Sequence, residues 1–173
     1  MVNRPQFTRV KTGAGRKRAL VLIVASTTLL LATAVVYLIL HEPPYKPPPL
    51  EKNAVQGVPN PAENLRYKEL EAPFFKFGIA TTTYQQKDGS LQIYLANHTD
   101  NEAYIMCEVV DVENDRILYR SGLLRPGEYV KTLSPLKRIK NEAINIEIFV
   151  YALDMEDYMS IGQISIDNVL QPH

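Results

Sequence analysis

An all-β fold, an immunoglobulin-like antiparallel β-sandwich of about seven strands, is predicted for the C-terminal part of this 173-residue chain. Three observations predict it. From Phe74 onward the apolar residues recur with a period of two. The runs are short and separated by turn residues. Everything before Phe74 has a different composition, first uncharged and apolar, then rich in proline.

Taken in order, residues 1–18 hold Arg4, Arg9, Lys11, Arg16, Lys17 and Arg18 and no acid, a formal charge of +6. Residues 41–173 hold the remaining basic residues and all 19 acids, a formal −6, so the neutral total hides a strong asymmetry. Between them residues 19–40, ALVLIVASTTLLLATAVVYLIL, contain no charge, Gly or Pro. At helical rise they extend about 33 Å, enough for a hydrocarbon core of roughly 30 Å. The expectation is a single-pass transmembrane helix with Ser26, Thr27, Thr28 and Thr33 returning their hydroxyl bonds to the helix backbone. The basic flank places the N-terminal tail in the cytoplasm and the C-terminal domain outside, a type II topology in the cell membrane. A secretory signal cut after Ala34 is the rival, but it would leave VVYLIL as an apolar new N-terminus. Thr28 and Ala32 offer one small pair for helix–helix approach, and nothing else favours a homo-oligomer. The basic tail lacks aromatics beyond Phe7, so a nucleic-acid partner is not expected.

Residues 41–73 contain 8 of the 12 prolines, which favour extended polyproline II and predict a semi-rigid spacer. Inside it, NPAENLRYKELEAP predicts a short helix at about 61–71, with Asn60 as N-cap, Pro61 at the first helical position and Glu63 completing the cap.

The β domain is predicted over 74–170. FFKFGIA turns Phe75, Phe77 and Ile79 inward, and LQIYLAN turns Leu91, Ile93 and Leu95 inward. Lys87 to Ser90 form a hairpin turn between them, with Gly89 suited to positive φ. AYIMCEVVDV buries Ile105, Cys107 and Val109, INIEIFVYAL buries Ile144, Ile146, Ile148 and Val150, and IGQISID adds Ile164 and Ile166. RILYRS and EYVKTL supply two further strands. In SGLLRPGEYV, Pro126 presets φ for the second position of a type II turn and Gly127 supplies the positive φ of the third. This segment is therefore a structural corner. A catalytic Ser121 would need a base, and the three histidines, His41, His98 and His173, sit in spacer, loop and terminus with no nucleophile elbow around Ser121. Its hydroxyl is expected to matter little for stability.

Other patterns carry less. Asp111, Glu113 and Asp115 alternate as in a calcium loop, but Arg116 and Gly122 stand where such a loop needs Gly and Glu. DMED, residues 154–157, predicts a solvated turn. No metal and no cofactor are expected. Cys107, the only cysteine, is a small core residue. Tyr94, Tyr104 and Tyr151 fall on outward positions and form the candidate interaction face.

Tyr119, Ser121, Gly122, Leu123, Leu124, Pro126 and Gly127, followed by Gly162 and Gln163, carry a resemblance. Over residues 75–168 the chain resembles small membrane-anchored β-sandwich proteins of Gram-positive bacteria marked by a Y-x-S-G-L-[IL]-x-P-G corner and a late G-Q strand. The resemblance implies a bacterial cell-surface setting and brings no catalytic residues. The function expected from topology and composition is a non-enzymatic, membrane-anchored extracytoplasmic interaction module that binds or assembles with another envelope protein. The alternative is a cell-surface ligand-binding or sensing domain for wall glycan or peptide.

Overall fold

The structure, a computed structural model, describes residues 27–37 and 45–172. The predicted cytoplasmic tail and both ends of the predicted span lie outside the described residues. Residues 27–37 are helical, and Thr33 Oγ1 donates to Leu29 O at 3.1 Å and Leu30 O at 2.9 Å, the intrahelical return expected of it. Among the described residues no helix is long and apolar enough to cross a membrane.

The chain divides into two units at Lys46 and Pro47. The second unit is all-β. Its strands are β1 (Val55–Gln56), β2 (Tyr67–Ala72), β3 (Phe75–Ala80), β4 (Thr83–Gln85), β5 (Leu91–Asn97), β6 (Ala103–Asp111), β7 (Arg116–Arg120), β8 (Glu128–Leu133), β9 (Ile144–Asp154) and β10 (Ser160–Gln171). They join in one curled sheet in the order β1-β8-β5-β4-β10-β9-β6-β7, with β3 attached to β5 and β2 to β3. All pairings between these strands are antiparallel except that of β10 with β4, at Leu170 opposite Thr83 and Gln171 opposite Tyr84.

The period-two reading holds at its centre. Phe75, Phe77, Ile79, Leu91, Ile93, Leu95, Ile105, Cys107, Val109, Ile146, Ile148 and Val150 are all buried, and the curl of the sheet brings them into one core. Ile144, Ile164 and Ile166 only half-bury against it. The predicted turn is present, with Gly89 at φ +85° and its N–H donating to Gln86 O at 2.9 Å. Its first arm is β4, however, while β3 meets β5 only at Phe77–Asn97 and Gly78–Ala96. Thr83–Gln85 thus form a strand that alternation did not assign.

Residues 47–72 depart most from expectation. The predicted helix at 61–71 is a single 3₁₀ turn, Glu63–Leu65, capped by Ala62 rather than Asn60, and it runs into β2. Arg66, at φ +50°, turns the chain out of the helix. With Leu65 and Leu70 as its strong apolar residues, a helix of this length is marginal. Six residue pairs with β3, Tyr67–Ala80 to Ala72–Phe75, offer its backbone a full ladder instead. From Pro47 onward the predicted spacer belongs to the β unit. Residues 49–51 lie along the segment after β7, with Leu123 N–H donating to Pro49 O and Glu51 N–H to Leu123 O, both at 2.9 Å. Then β1 pairs with β8.

Burial of Cys107 makes an alkaline prediction. Burial pushes its thiol from 9.0 up to about 12, and burial followed by the nearby Asp88 charge pushes the Tyr119 hydroxyl from 10.0 up to about 12. Both groups hold their protons more tightly folded than unfolded, so their contribution is complete below pH 9 and is lost as pH rises toward 12. The urea midpoint is expected to fall over that window. In Cys107→Ala the decline should begin about one unit later, and native Cys107 should resist thiol reagents until unfolded.

Candidate functional site: an aromatic sheet face, a corner and a cleft

The corner is built residue by residue from backbone needs. Tyr119 is fully buried and its hydroxyl donates to Gly89 O at 3.0 Å, fixing the β4–β5 hairpin. Ser121 is also buried. Its N–H donates to Cys107 O at 3.0 Å and its Oγ accepts the Cys107 N–H at 2.8 Å. The expectation that its hydroxyl matters little is therefore corrected: without Oγ, a buried backbone N–H loses its partner, at a cost of about 1–3 kcal/mol. Gly122 lies against the segment at 49–51, where a Cβ would come within 2.6 Å of Glu51 N and Cα. Its N–H donates to Glu51 Oε2 at 2.7 Å. Leu123 and Leu124 are buried. Pro126 and Gly127 form the predicted turn, with Gly127 at φ +78° and Glu128 N–H donating to Arg125 O at 3.0 Å. Every side chain of SGLLRPG that faces inward is occupied in holding strands together.

The three candidate tyrosines do not share one face. Tyr104 on β6 and Tyr151 on β9 lie on the side of the sheet opposite the core, flanking Met106, Leu123 and Leu153, which form a second buried cluster. Tyr94 lies on β5, at φ +48° where the pairing with β8 slips between Gln92 and Leu95, away from this cluster. Tyr158 takes its place. It stacks on Tyr104 with ring centroids 5.7 Å apart and planes within 5° of parallel. Its signal in sequence was weak, because it sits in the turn after DMED and not in an alternating run. Asp154 Oδ1 accepts the N–H groups of Glu156 and Asp157, and the Asp154 carbonyl accepts that of Tyr158, which is how the turn delivers the ring.

Phe149 extends the aromatic row, 6.4 Å from Tyr151. Beside it Glu108 binds Arg120, Oε1 to Nη2 at 2.7 Å, and accepts the Tyr151 hydroxyl at 3.4 Å. Burial first, and the Glu108 charge second, raise the Tyr151 hydroxyl above its ordinary value, so it remains a neutral donor.

A cleft of about 760 Å³ opens elsewhere, between the β4–β5 hairpin and residues 135–141. The alternating acids sit in the β6–β7 turn. Asp111 is buried and accepts the Glu113 and Asn114 N–H groups, Asn114 Nδ2 and Arg116 Nε. Burial pushes its carboxyl up, but these donors outweigh burial and hold it below the ordinary value. Among the described residues no group of three or more His, Cys, Asp or Glu side chains is placed to hold a metal ion.

No protein-family model, curated protein or solved structure matches the chain.

Proposed function

We propose that this chain is a non-enzymatic, membrane-anchored extracytoplasmic module whose β domain docks on another envelope protein through the outer face of β6 and β9. One observation carries the reading: Tyr104 and Tyr151 on the sheet and Tyr158 from the β9–β10 turn gather over the apolar Met106–Leu123–Leu153 cluster. Tyrosines combine apolar area with a polar tip at low entropic cost, which is why they recur as interface anchors. The rigid β9–β6 ladder presets their spacing, and the Glu108–Arg120 pair supplies a polar rim beside them.

An immunoglobulin-like sandwich is the finer reading of the curled sheet. It is supported by β4, which pairs with both β5 and β10 and so bridges a β8-β5 half and a β10-β9-β6-β7 half, each with inward residues in the common core. The anchor is read from the uncharged stretch at 19–40 and its basic flank, and is supported by Leu29, Leu30, Leu31, Val35 and Val36, which stay exposed on the described helix. The bacterial surface setting rests on the resemblance of the corner.

Photocrosslinking in native membranes tests the docking face. With the full chain, a photoreactive residue at position 104 or 151 is expected to capture one and the same envelope protein, and one at position 94 is expected not to. Tyr151→Ala should weaken that association by at least about thirtyfold if the ring is an anchor. Equal capture from position 94 would overturn the assignment of the face.

A further inference from the structure

The cleft between the β4–β5 hairpin and residues 135–141 carries an inference independent of the aromatic face. Both of its walls are fastened to β7. Tyr119 holds the hairpin through Gly89 O, its backbone bridges to Pro135, and Leu136 N–H donates to Leu118 O at 2.9 Å. The walls approach each other at Gly89 and Pro135, where an added Cβ on Gly89 would lie 3.6 Å from Pro135 Cγ. The cleft is thus a built feature and not a gap between loose loops.

Two properties of its lining point to a ligand. The first is Gln85, only 4% exposed, whose Oε1 has no hydrogen-bond partner; among the described residues it is the sole buried side-chain oxygen or nitrogen in that state. A buried acceptor without a donor costs free energy, so such a group calls for a specific explanation. The second is charge. Lys87, Arg138 and Lys140 line the cleft against one acid, Asp88. Asp88 is already engaged by the Ser90 N–H at 2.9 Å and Ser90 Oγ at 2.7 Å, and Lys140 meets Glu142 only at 3.9 Å. Among the described residues Lys87 and Arg138 have no ion pair. The lining therefore combines a buried residue whose acceptor is unsatisfied with exposed cations around it. A complementary molecule has a hydroxyl or N–H donor at one end and an anionic group at the other.

We infer that this cleft is a binding site for a small hydroxylated anion of the polyol-phosphate kind, its hydroxyl donating to Gln85 Oε1 and its phosphate held by Lys87 and Arg138. The arginine offers the planar donor fork suited to phosphate oxygens, and the lysine adds a mobile point charge. Neither the membrane anchor nor the tyrosine face is needed for this.

Titration of the full chain in detergent with glycerol 3-phosphate, glycerol and inorganic phosphate, at matched ionic strength, tests it. Glycerol 3-phosphate is expected to bind at least about tenfold more tightly than inorganic phosphate, with glycerol silent, because a hydrogen bond to a buried acceptor is worth about that factor. Lys87→Ala with Arg138→Ala should abolish binding. Gln85→Met keeps the side-chain volume and removes the orphan acceptor, so it should leave the unliganded thermal midpoint unchanged or higher while bringing glycerol 3-phosphate down to the affinity of inorganic phosphate. Equal affinity of the two phosphates for the native chain would overturn the role of Gln85, and so would unchanged selectivity in Gln85→Met. Absence of binding by either phosphate, with the chain shown to be folded by its cooperative melt, would overturn the site.

Discussion

Gly122→Val is expected to release the segment at 49–51 from the β domain and to lower stability by on the order of 3 kcal/mol. A Cβ at this position would stand 2.6 Å from Glu51 N and Cα and 2.8 Å from the Leu50 carbonyl carbon, all of them backbone atoms that cannot rotate away. The strands must part. Parting them breaks the Leu123 N–H to Pro49 O bond, the Glu51 N–H to Leu123 O bond and the charge-assisted Gly122 N–H to Glu51 Oε2 bond. At about 0.5–1.5 kcal/mol for each neutral bond and about 1.5–3 for the charged one, the total is of the stated order. Limited trypsin digestion reads the local event. Lys52, beside the released segment, should become a rapid cleavage site in the variant and stay slow in the native chain. Glu51→Gln, which keeps an acceptor but removes its charge, should lie between the two. An unchanged digestion rate in Gly122→Val would mean that this segment does not depend on the corner.

This contact gives the proline-rich region a role that composition does not reveal. A sheet edge exposes unpaired N–H and C=O groups and invites pairing with another chain. Here residues 49–51 cover the edge beyond β7, and β1 covers the edge of β8. Pro47, Pro48 and Pro49 have no N–H to offer, which limits further pairing to the groups from Leu50 onward. A segment that reads as a spacer thus also closes the sheet.

What was legible in the sequence follows from the range of the forces involved. The inward residues of β5, β6 and β9 were readable because alternation is local and a one-residue slip would expose the whole set. Gly89 and Gly127 were readable because a turn needs positive φ within four residues. β2 was not, because its preference for a strand comes from β3 across six pairs and outweighs a local helix signal of caps and charge. The aromatic face was half legible. Outward positions could be assigned along each strand, but whether Tyr94 joins Tyr104 and Tyr151 depends on which strands become neighbours. The cleft and Gln85 left no local trace, since its walls lie some fifty residues apart and are brought together through β7.

Gly127→Val is expected to lower the urea midpoint by roughly 1 M, from about 1–3 kcal/mol of backbone strain. At φ +78° a β-branched residue crowds the preceding carbonyl, and its Cβ would also lie 2.7 Å from Gln56 Nε2 and 3.1 Å from Thr99 Cγ2. The side-chain contacts alone would be a small matter, because the exposed Gln56 can move. The turn cannot. Gly127 N–H donates to Asn97 O at 3.0 Å and Gly127 O accepts the Gly57 N–H at 2.9 Å, so relieving φ would pull the corner off both β5 and the end of β1. Gly127→Asn separates the two causes. Asparagine tolerates the left-handed region but carries a Cβ into the same space, so it should retain most of the native midpoint if strain dominates. Ser121→Ala, six residues away, should also lower the midpoint, through the buried Cys107 N–H it leaves unpaired. Losing Ser121 Oγ also removes a hydrogen bond that holds the Cys107 thiol down against burial, so the variant's alkaline decline should extend to higher pH than the native one. A native midpoint in Gly127→Val, or an Asn variant as unstable as the Val one, would show that the corner is not held by the conformation of Gly127.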